Sequence, residues 1–243
     1  MSHLSLQPLT ENVNVRKTQN IPTMLLRKRI LITSGPTREY LDPVRFLTNG
    51  SSGRMGAALA EAVLERGETP VMVSGPVALT YPDGAEIHRV ETTEQMLECC
   101  LRLFPNCNGI IGAAAPCDFK PEYFSEQKLS KPEGNIDIVF RFTKTPDILA
   151  TLGQIKRRDQ WVVGFALETK NGRDLALKKL KQKKCDLIVL NSPESINRET
   201  ASFQIFNASG ELCADLNGSK KTAVKEIFAL IDKYCIFETS EKD

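Results

Sequence analysis

The chain has 243 residues, and its 32 lysines and arginines nearly balance 30 aspartates and glutamates, so it lacks the strong positive field that drives binding to nucleic acid. The chain has only two histidines, which argues against histidine triads and histidine-rich metal sites. None of its seven cysteines forms a Cys-x-x-Cys pair, which argues against a zinc site or a disulfide framework and is typical of a protein from the reducing cytoplasm. The first thirty residues lack the phases of a signal peptide, and no apolar run approaches the ~20 residues that span a bilayer, so we expect a cytoplasmic protein outside the membrane.

Residues 1–27 are polar and aperiodic and are predicted to form a flexible extension, followed by a single domain over residues 28–243. Strands are predicted near 29–34, 69–74, 109–114, 161–166 and 186–190, and helices near 54–66, 93–103, 146–157, 172–184 and 220–235. Residues 203–206 and 211–214 flank the turn sequence Asn207-Ala208-Ser209-Gly210 and predict a hairpin. The alternation predicts an α/β fold, a Rossmann-like three-layer αβα domain with a mostly parallel sheet and a C-terminal hairpin.

The most informative segment runs from Thr48 to Gly56 and opens onto a helical pattern. Its glycines are spaced Gly50-x-x-Gly53-x-x-Gly56, which departs from the Gly-x-Gly-x-x-Gly fingerprint of dinucleotide-binding folds. Backbone N–H groups at such a helix start can bind a phosphate. Alternatively, the glycines only allow close packing of the helix against the sheet. The spacing leaves both interpretations open.

In open parallel sheets, ligands bind beyond the carboxyl ends of the strands. A nicotinamide-binding fold usually carries an acidic residue after its second strand, whereas this chain has Ser74-Gly75-Pro76 there. No tyrosine is followed by a lysine four residues later, so the pair typical of short-chain dehydrogenases is missing. An NAD(P)-dependent oxidoreductase therefore remains only an alternative.

Three lysines are candidates for binding an anion. Lys128 follows Glu126-Gln127 in a polar loop and is either a ligand of the pocket or a solvated side chain. Lys179 and Lys183 are four residues apart and share a helix face. They either grip a polyphosphate or complement the helix dipole.

Three further residues allow two interpretations each. Asp118, after the third predicted strand, either coordinates magnesium or caps the next turn. Asn49 either orients a substrate carbonyl or supports a turn. Cys117 has no histidine base nearby in sequence, which favours a buried thiol over a nucleophile.

Taken together, the segments resemble the bacterial phosphopantothenoylcysteine synthetases of coenzyme A biosynthesis. The resemblance covers about residues 28–235 and is carried, in family order, by residues 34–39, 42–45, 49–56, 73–76, 113–118, 126–128, 146–148, 164–169 and 186–189. It implies a CTP-dependent, magnesium-requiring ligase. The carboxylate of 4′-phosphopantothenate would attack the α-phosphorus of CTP, and the amine of cysteine would then displace CMP from the acyl-cytidylate.

The resemblance also implies roles for individual residues. Lys128 and Asn49 would be catalytic, the lysine in nucleotidyl transfer and the asparagine in the attack by cysteine. Asn49 and Arg45 would contact the acid substrate, and Asp118 would hold the metal. The implied nucleotide-binding positions are Gly35, Ser51, Ser52, Gly53, Ala113, Ala114, Asp118, Lys128, Pro146, Phe165, Lys179 and Lys183.

The chain departs from the family pattern at Gly50, Pro116 and Ser192. These departures prompt a further alternative, a catalytically silent nucleotide-binding partner of a flavoprotein decarboxylase. The resemblance implies a homodimer, with residues 195–215 or the loop 119–142 as the candidate flap, and a decarboxylase on a separate polypeptide. Residue identity does not decide between CTP and ATP, and the bacterial-type segments favour CTP.

Overall fold

The computed structural model describes residues 27–131, 138–168, 171–191 and 200–235. Its strands are β1 (Arg29–Ser34), β2 (Arg38–Tyr40), β3 (Phe46–Thr48), β4 (Thr69–Ser74), β5 (Glu86–Arg89), β6 (Gly109–Gly112), β7 (Phe119–Pro121), β8 (Phe142–Lys144), β9 (Trp161–Leu167), β10 (Leu187–Asn191), β11 (Thr200–Asn207) and β12 (Leu212–Ser219). Its α-helices are α1 (Arg54–Glu65), α2 (Thr93–Leu103), α3 (Ile148–Ile155), α4 (Gly172–Gln182) and α5 (Lys220–Tyr234).

One eight-stranded sheet organises the described residues, in the order β12-β11-β10-β9-β6-β1-β4-β5. The six strands from β10 to β5 are mutually parallel, and β11 and β12 add an antiparallel edge. Numbered along the chain, the parallel strands follow the order 3-2-1-4-5-6 of doubly wound dinucleotide-binding folds. The order reverses between β1 and β6, which is where such folds bind their ligands.

Helices cover both faces of this sheet. Alternate side chains of β1 point to opposite faces, so Ile32 packs with α1 and α5, while Leu31 packs with α2, α3 and α4. Each fully buried aliphatic side chain of this kind contributes roughly 1.5–3 kcal/mol. The predicted three-layer αβα architecture with a mostly parallel sheet and a C-terminal hairpin is confirmed.

The helix starts follow local capping chemistry. Thr92 and Gln95 form a reciprocal capping box at the start of α2, and Asp147 and Ser219 cap α3 and α5. In contrast, α1 begins at Gly53, which has a left-handed φ of 74° and offers no side-chain cap. The first N–H groups of α1 are therefore left for another acceptor.

Five short strands were not predicted: β2 and β3 form one small antiparallel sheet, β7 and β8 form another, and β5 lies at the edge of the main sheet. Strands of three or four residues are too short to show an alternating pattern. The strand predicted over 109–114 ends at Gly112, because the chain leaves the sheet and Ala115 bridges to Pro36 instead. The division into an extension over 1–27 and one domain stays a prediction, since residues 1–26 lie outside the described ranges. Within those ranges, no helix has the length and apolarity required to cross a bilayer.

Candidate active site

A cavity of about 490 Å³ opens at the carboxyl ends of β6, β9 and β10, beside the reversal point of the sheet. It is lined by Asn49, Gly50, Ser51, Ser52, Gly53, Arg54, Met55, Ala113, Ala114, Ala115, Asp118, Phe165, Leu167, Lys179, Asn191, Phe203 and Lys220. Nine residues that the sequence proposed for the site are in this set: Asn49, Ser51, Ser52, Gly53, Ala113, Ala114, Asp118, Phe165 and Lys179. The cavity therefore gathers residues from seven separate segments of the chain.

The glycine-rich loop forms one wall of the cavity, and its three glycines serve different purposes. Gly50 has open space around it, while Gly53 needs its positive φ to start α1. At Gly56 an added Cβ would lie 2.1 Å from the hydroxyl oxygen of Ser34, so this glycine permits close packing of α1 on β1. The structure therefore supports the packing interpretation at Gly56, and phosphate binding by the loop stays a prediction.

Asn49 is tied to the neighbouring wall through its side-chain amide. Its Nδ2 donates to the carbonyl oxygen of Pro116 at 2.9 Å and lies 3.4 Å from that of Ala115. These contacts orient the Asn49 side chain at the mouth of the cavity.

A buried hydroxyl network holds the segment that carries Asp118. The Thr37 hydroxyl accepts the N–H of Cys117 at 2.8 Å and lies 2.9 Å from the Thr93 hydroxyl. The Glu39 carboxylate accepts the N–H of Thr93 at 2.8 Å, at the start of α2. Burial raises the pKa of the Cys117 thiol, and its environment is that of a structural side chain rather than a nucleophile. The network fixes the backbone immediately before Asp118, whose side chain is exposed.

Lys179 in α4 and Lys183, the residue that follows α4, each face a carboxylate. Lys179 Nζ lies 2.6 Å from Glu168 Oε1, and the Glu168 side chain is only 14% exposed. Lys183 Nζ lies 2.9 Å from Asp147 Oδ2. Of the two, only Lys179 lines the cavity.

Five proposed residues lie outside the cavity lining: Gly35, Arg45, Lys128, Pro146 and Lys183. Lys128 is exposed in the loop after β7. The Arg45 guanidinium lies 3.0 Å from the Asp42 carboxylate and donates to the carbonyl oxygen of Leu129 at 3.0 Å. The structure thus joins Arg45 to the Lys128 loop, but it does not bring Lys128 and Asn49 into one cavity.

Sequence reasoning did not assign several lining residues, among them Arg54, Lys220 and Phe203. Arg54 is the first residue of α1 and Lys220 the first of α5, so both stand where helix starts meet the carboxyl edge. The signal for Lys220 is the capping serine before it, Ser219. Lys220 comes close to the end of β10 because the β11–β12 hairpin pairs beside β10 and α5 begins directly after β12. The sequence alone does not specify that pairing.

A second cavity, of about 620 Å³, lies beside the amino ends of β1 and β9 and includes Ile30, Trp161 and Phe228 in its lining. It is larger and contains none of the residues proposed from the sequence. We assign the candidate site to the smaller cavity because it lies at the carboxyl ends of the parallel strands, beside the reversal point, and includes the start of α1.

Comparison with known proteins yields one family model, the DNA/pantothenate metabolism flavoprotein C-terminal domain, which matches residues 25–234. The chain is 36% identical over 214 residues to the coenzyme A biosynthesis bifunctional protein CoaBC of Vibrio vulnificus strain CMCP6, covering 86% of this chain and 53% of that protein. It is 43% identical over 165 residues to the CoaBC protein of Bacillus subtilis strain 168, covering 68% of this chain and 40% of that protein. The chain thus spans about half the length, or less, of these relatives.

A crystal structure of the C-terminal domain of a coenzyme A biosynthesis bifunctional protein CoaBC is similar to this fold, with a TM-score of 0.73 and 38% sequence identity. The match covers 86% of this chain and 96% of that chain. The similarity therefore extends over nearly the whole of that solved domain.

Proposed function

Because the chain belongs to the family of DNA/pantothenate metabolism flavoprotein C-terminal domains, we propose that it is a coenzyme A biosynthesis ligase that joins 4′-phosphopantothenate to L-cysteine. The observation that carries the proposal is the cavity at the reversal point of the sheet, where the Asn49–Met55 segment meets Lys179 and Asp118. The bifunctional relatives, about half of whose length this chain covers, are named for coenzyme A biosynthesis. The proposed activity is the part of that biosynthesis that this domain would perform.

The proposed reaction has two steps. A carboxylate oxygen of 4′-phosphopantothenate bonds to the α-phosphorus of CTP as the bond to the β-phosphate oxygen breaks, which releases pyrophosphate. The cysteine amine then attacks the acyl carbon and loses a proton as CMP leaves. The first step brings two anions together, and unit charges 4 Å apart repel by about 4 kcal/mol at an effective dielectric of 20. Positive groups at the cavity are needed to offset that repulsion.

The triphosphate would lie against the start of α1. Gly53 provides no side-chain cap and the first turn carries no acidic residue, so the N–H groups there favour an anion. Arg54 and Lys179 line the same cavity, where Lys179 would have to exchange its partner Glu168 for a phosphate. Phe165 is available to contact the base, and Lys183 would engage the phosphates only after leaving Asp147.

Lys128 would stabilise charge that develops on the α-phosphate, an electrostatic role that requires no proton transfer. Because Lys128 does not line the cavity, its long side chain would have to reach the α-phosphate from outside the lining for this step. Asn49 would position the acyl group for attack by cysteine, with its amide nitrogen held by the Pro116 carbonyl.

Magnesium is the proposed metal, and Asp118 would hold it. No three His, Cys, Asp or Glu side chains in the described ranges cluster as a metal cage. A single carboxylate in a nucleotide cavity fits magnesium, which proteins commonly bind through one or two carboxylates and the phosphates of the substrate. When bound, it supplies positive charge against the triphosphate.

We also propose a homodimer, which would cover an unusually apolar surface. We call the exposed side chains on and beside the two small sheets the apolar patch: Val44, Phe46, Leu47, Phe119, Tyr123, Phe124, Ile138, Val139, Phe140 and Phe142. Large exposed apolar patches mark protein interfaces, and short two-stranded sheets present unpaired edges. Of the two candidate flaps, the loop 119–142 carries much of this patch, and its residues 132–137 lie outside the described ranges. In the 195–215 candidate, residues 195–199 also lie outside them, as does Ser192.

A separate decarboxylase that consumes the product stays a prediction. So does the choice of CTP over ATP. An assay of pyrophosphate release with CTP, 4′-phosphopantothenate and cysteine tests the proposal, with mass spectrometry to identify the product. The proposal expects release that depends on the acid substrate and is faster with CTP than with ATP. Release with neither nucleotide would contradict it and leave the oxidoreductase and silent-partner alternatives, which NADPH binding would separate.

A further inference from the structure

Asp42, in the loop between β2 and β3, is a buried carboxylate to which the proposed reaction gives no part. Its side chain has no exposed surface. One oxygen, Oδ1, accepts the N–H groups of Val44 at 2.8 Å and Arg45 at 2.7 Å, and so shapes its own loop. The other, Oδ2, accepts the N–H of Leu129 at 3.1 Å and lies 3.0 Å from Arg45 Nη1. The two oxygens therefore serve two different loops.

Two further hydrogen bonds join the same loops. Arg45 Nη1 also donates to the carbonyl oxygen of Leu129 at 3.0 Å, so Asp42 and Arg45 together engage both backbone groups of that residue. The N–H of Ser125 donates to the carbonyl oxygen of Leu41 at 3.0 Å. The segment 125–129 is thus anchored at both of its ends.

Lys128 sits inside this anchored segment, one residue before Leu129. Its side chain is exposed, and no hydrogen bond or ion pair holds it to another part of the chain that the structure describes. The backbone on either side of Lys128 therefore limits the region that its ammonium can reach. Burial acts to raise the pKa of the Asp42 carboxyl, but the N–H groups of Val44, Arg45 and Leu129 and the Arg45 charge hold it below its usual value. Asp42 is thus ionised near neutral pH and accepts all of these bonds.

We propose that Asp42 is a positioning residue that latches the loop 125–129 to the β2–β3 hairpin and so determines where Lys128 can act. The hairpin leads directly from Arg45 through β3 to Asn49. The latch therefore couples the segment of the proposed nucleotidyl-transfer lysine to the segment of the proposed amine-step asparagine. The consequence for catalysis rests on the proposed function, whereas the latch itself does not.

The substitution Asp42→Asn distinguishes the roles of the two carboxylate oxygens, because it keeps the acceptor Oδ1 and replaces Oδ2 with an NH₂ group. An asparagine oxygen can still accept from Val44 and Arg45, as asparagine commonly does in turns. Its NH₂ group then faces two donors, the Leu129 N–H and Arg45 Nη1, so the contact with the loop 125–129 is lost. Asp159→Asn is the matched control, because Asp159 is an exposed aspartate that also pairs with an arginine, Arg157, but far from this loop.

Hydrogen exchange, measured by mass spectrometry, tests the hydrogen bond between Asp42 and the Leu129 N–H without any assay of activity. A hydrogen bond to a charged group is worth enough that its loss should speed exchange at Leu129 roughly ten- to a hundredfold. Asp42→Asn is expected to show this increase over residues 125–131, and Asp159→Asn none. Arg45→Met, which removes the contact with the Leu129 carbonyl, is a second variant and should accelerate the same segment. Unchanged exchange at Leu129 in a folded Asp42→Asn protein would overturn the latch.

The catalytic consequence is read by separating the half-reactions. Asp42→Asn should lower kcat for pyrophosphate release at least tenfold, with a KM for the nucleotide within about threefold of the native value, because Lys128 rather than nucleotide binding is misplaced. The reaction of preformed acyl-nucleotide with cysteine should stay within about threefold of native. Equal loss of both half-reactions would mark a general structural role and overturn the positioning role. If the native protein releases no pyrophosphate, the proposed function fails while the exchange result still decides the latch.

Discussion

Lys179 in α4 and Glu168 after β9 form an ion pair of 2.6 Å at the wall of the proposed nucleotide cavity. Lys183, the residue that follows α4, forms a comparable pair of 2.9 Å with Asp147, the residue that caps α3. Both lysines are thus engaged by carboxylates, but only Lys179 lines the cavity. The two lysines therefore differ in whether they can contact a ligand bound in the cavity.

This difference predicts unequal effects of Lys179→Met and Lys183→Met. Loss of a charge-assisted contact with the triphosphate costs about 1.5–3 kcal/mol, so Lys179→Met should raise the KM for CTP roughly ten- to a hundredfold. Lys183→Met, the matched control directly after the same helix, should raise it less than about threefold. Steady-state pyrophosphate release measures both. An equal or larger effect at Lys183 would show that the phosphates bind elsewhere than at the described cavity.

The half-reactions should separate Lys128 from Asn49. Lys128→Met removes charge stabilisation at the α-phosphate and is expected to slow pyrophosphate release at least ~100-fold. Asn49→Ala should release one equivalent of pyrophosphate and accumulate the acyl-nucleotide, because only the attack by cysteine is impaired. Rapid quench with product analysis distinguishes these outcomes. Accumulation of acyl-nucleotide by Lys128→Met would contradict the assignment.

The glycines of the loop should differ in their effects on stability. In Gly56→Ala the new Cβ would lie 2.1 Å from Ser34 Oγ and 2.5 Å from Ser34 Cβ. Overpacking of this kind costs typically ~1–3 kcal/mol, against a gain of about 1 kcal/mol in helix propensity. Ser34 is fully buried and cannot move aside easily, so the cost lies in the upper part of that range and we expect a net loss of roughly 1–2 kcal/mol in the free energy of unfolding. Gly50→Ala, with nothing within 4 Å of the new Cβ, is the control and should stay within about 0.5 kcal/mol of native. Urea unfolding measures the free energy of unfolding of both variants. Equal values for Gly56→Ala and Gly50→Ala would refute the packing explanation.

Thiol reactivity should follow burial. Burial raises the pKa of Cys107 to about 11 and of Cys185 to about 12. At pH 8 fewer than roughly one in a thousand of these thiols are ionised, and the thiolate is the reactive form. Cys213, which is half-buried, should therefore react first with iodoacetamide, while Cys107 becomes reactive only as the pH approaches 11. Peptide mapping after timed alkylation tests the order. Labelling of Cys107 or Cys185 before Cys213 in the folded protein would be inconsistent with it.

The apolar patch predicts a dimer that charge can disrupt. Val139 and Phe142 are 84% and 47% exposed, so replacing both with lysine should leave the fold of one copy intact. Buried like charges facing each other across an interface are strongly unfavourable. Light scattering should find the native chain at twice the mass of one copy and the double variant at the mass of one. Lysines at Ile87 and Leu212, exposed outside the patch, provide the control. A native monomer, or a double variant that stays dimeric, would contradict the proposal.

The main sheet and its helices could be predicted because their residues alternate or repeat over many positions. Val71 and Val73 in β4 and the long α5 pattern are of this kind. The three-residue strands β2, β3, β7 and β8 carry no such period. These short strands flank the loop of Lys128, which was expected at the nucleotide site but does not line the cavity.

Ala113, Ala114 and Asp118 follow β6 within six residues, and the cavity includes all three, as the family resemblance implied. Contacts between distant segments were not predictable. The Glu168–Lys179 pair and the Asp42–Leu129 hydrogen bond join residues whose neighbourhood depends on the complete fold. Sequence spacing put Lys179 and Lys183 on one helix face, but it could not tell which of them reaches the cavity.

In the proposed mechanism, the carboxylate of 4′-phosphopantothenate is activated by bonding to the α-phosphorus of CTP. The most direct test of this step uses acid substrate labelled with ¹⁸O in both carboxylate oxygens, with the products analysed by mass spectrometry. The mechanism predicts one ¹⁸O atom in CMP, one in the amide product and none in pyrophosphate. Label in a phosphate or pyrophosphate product, or CMP without label, would contradict it.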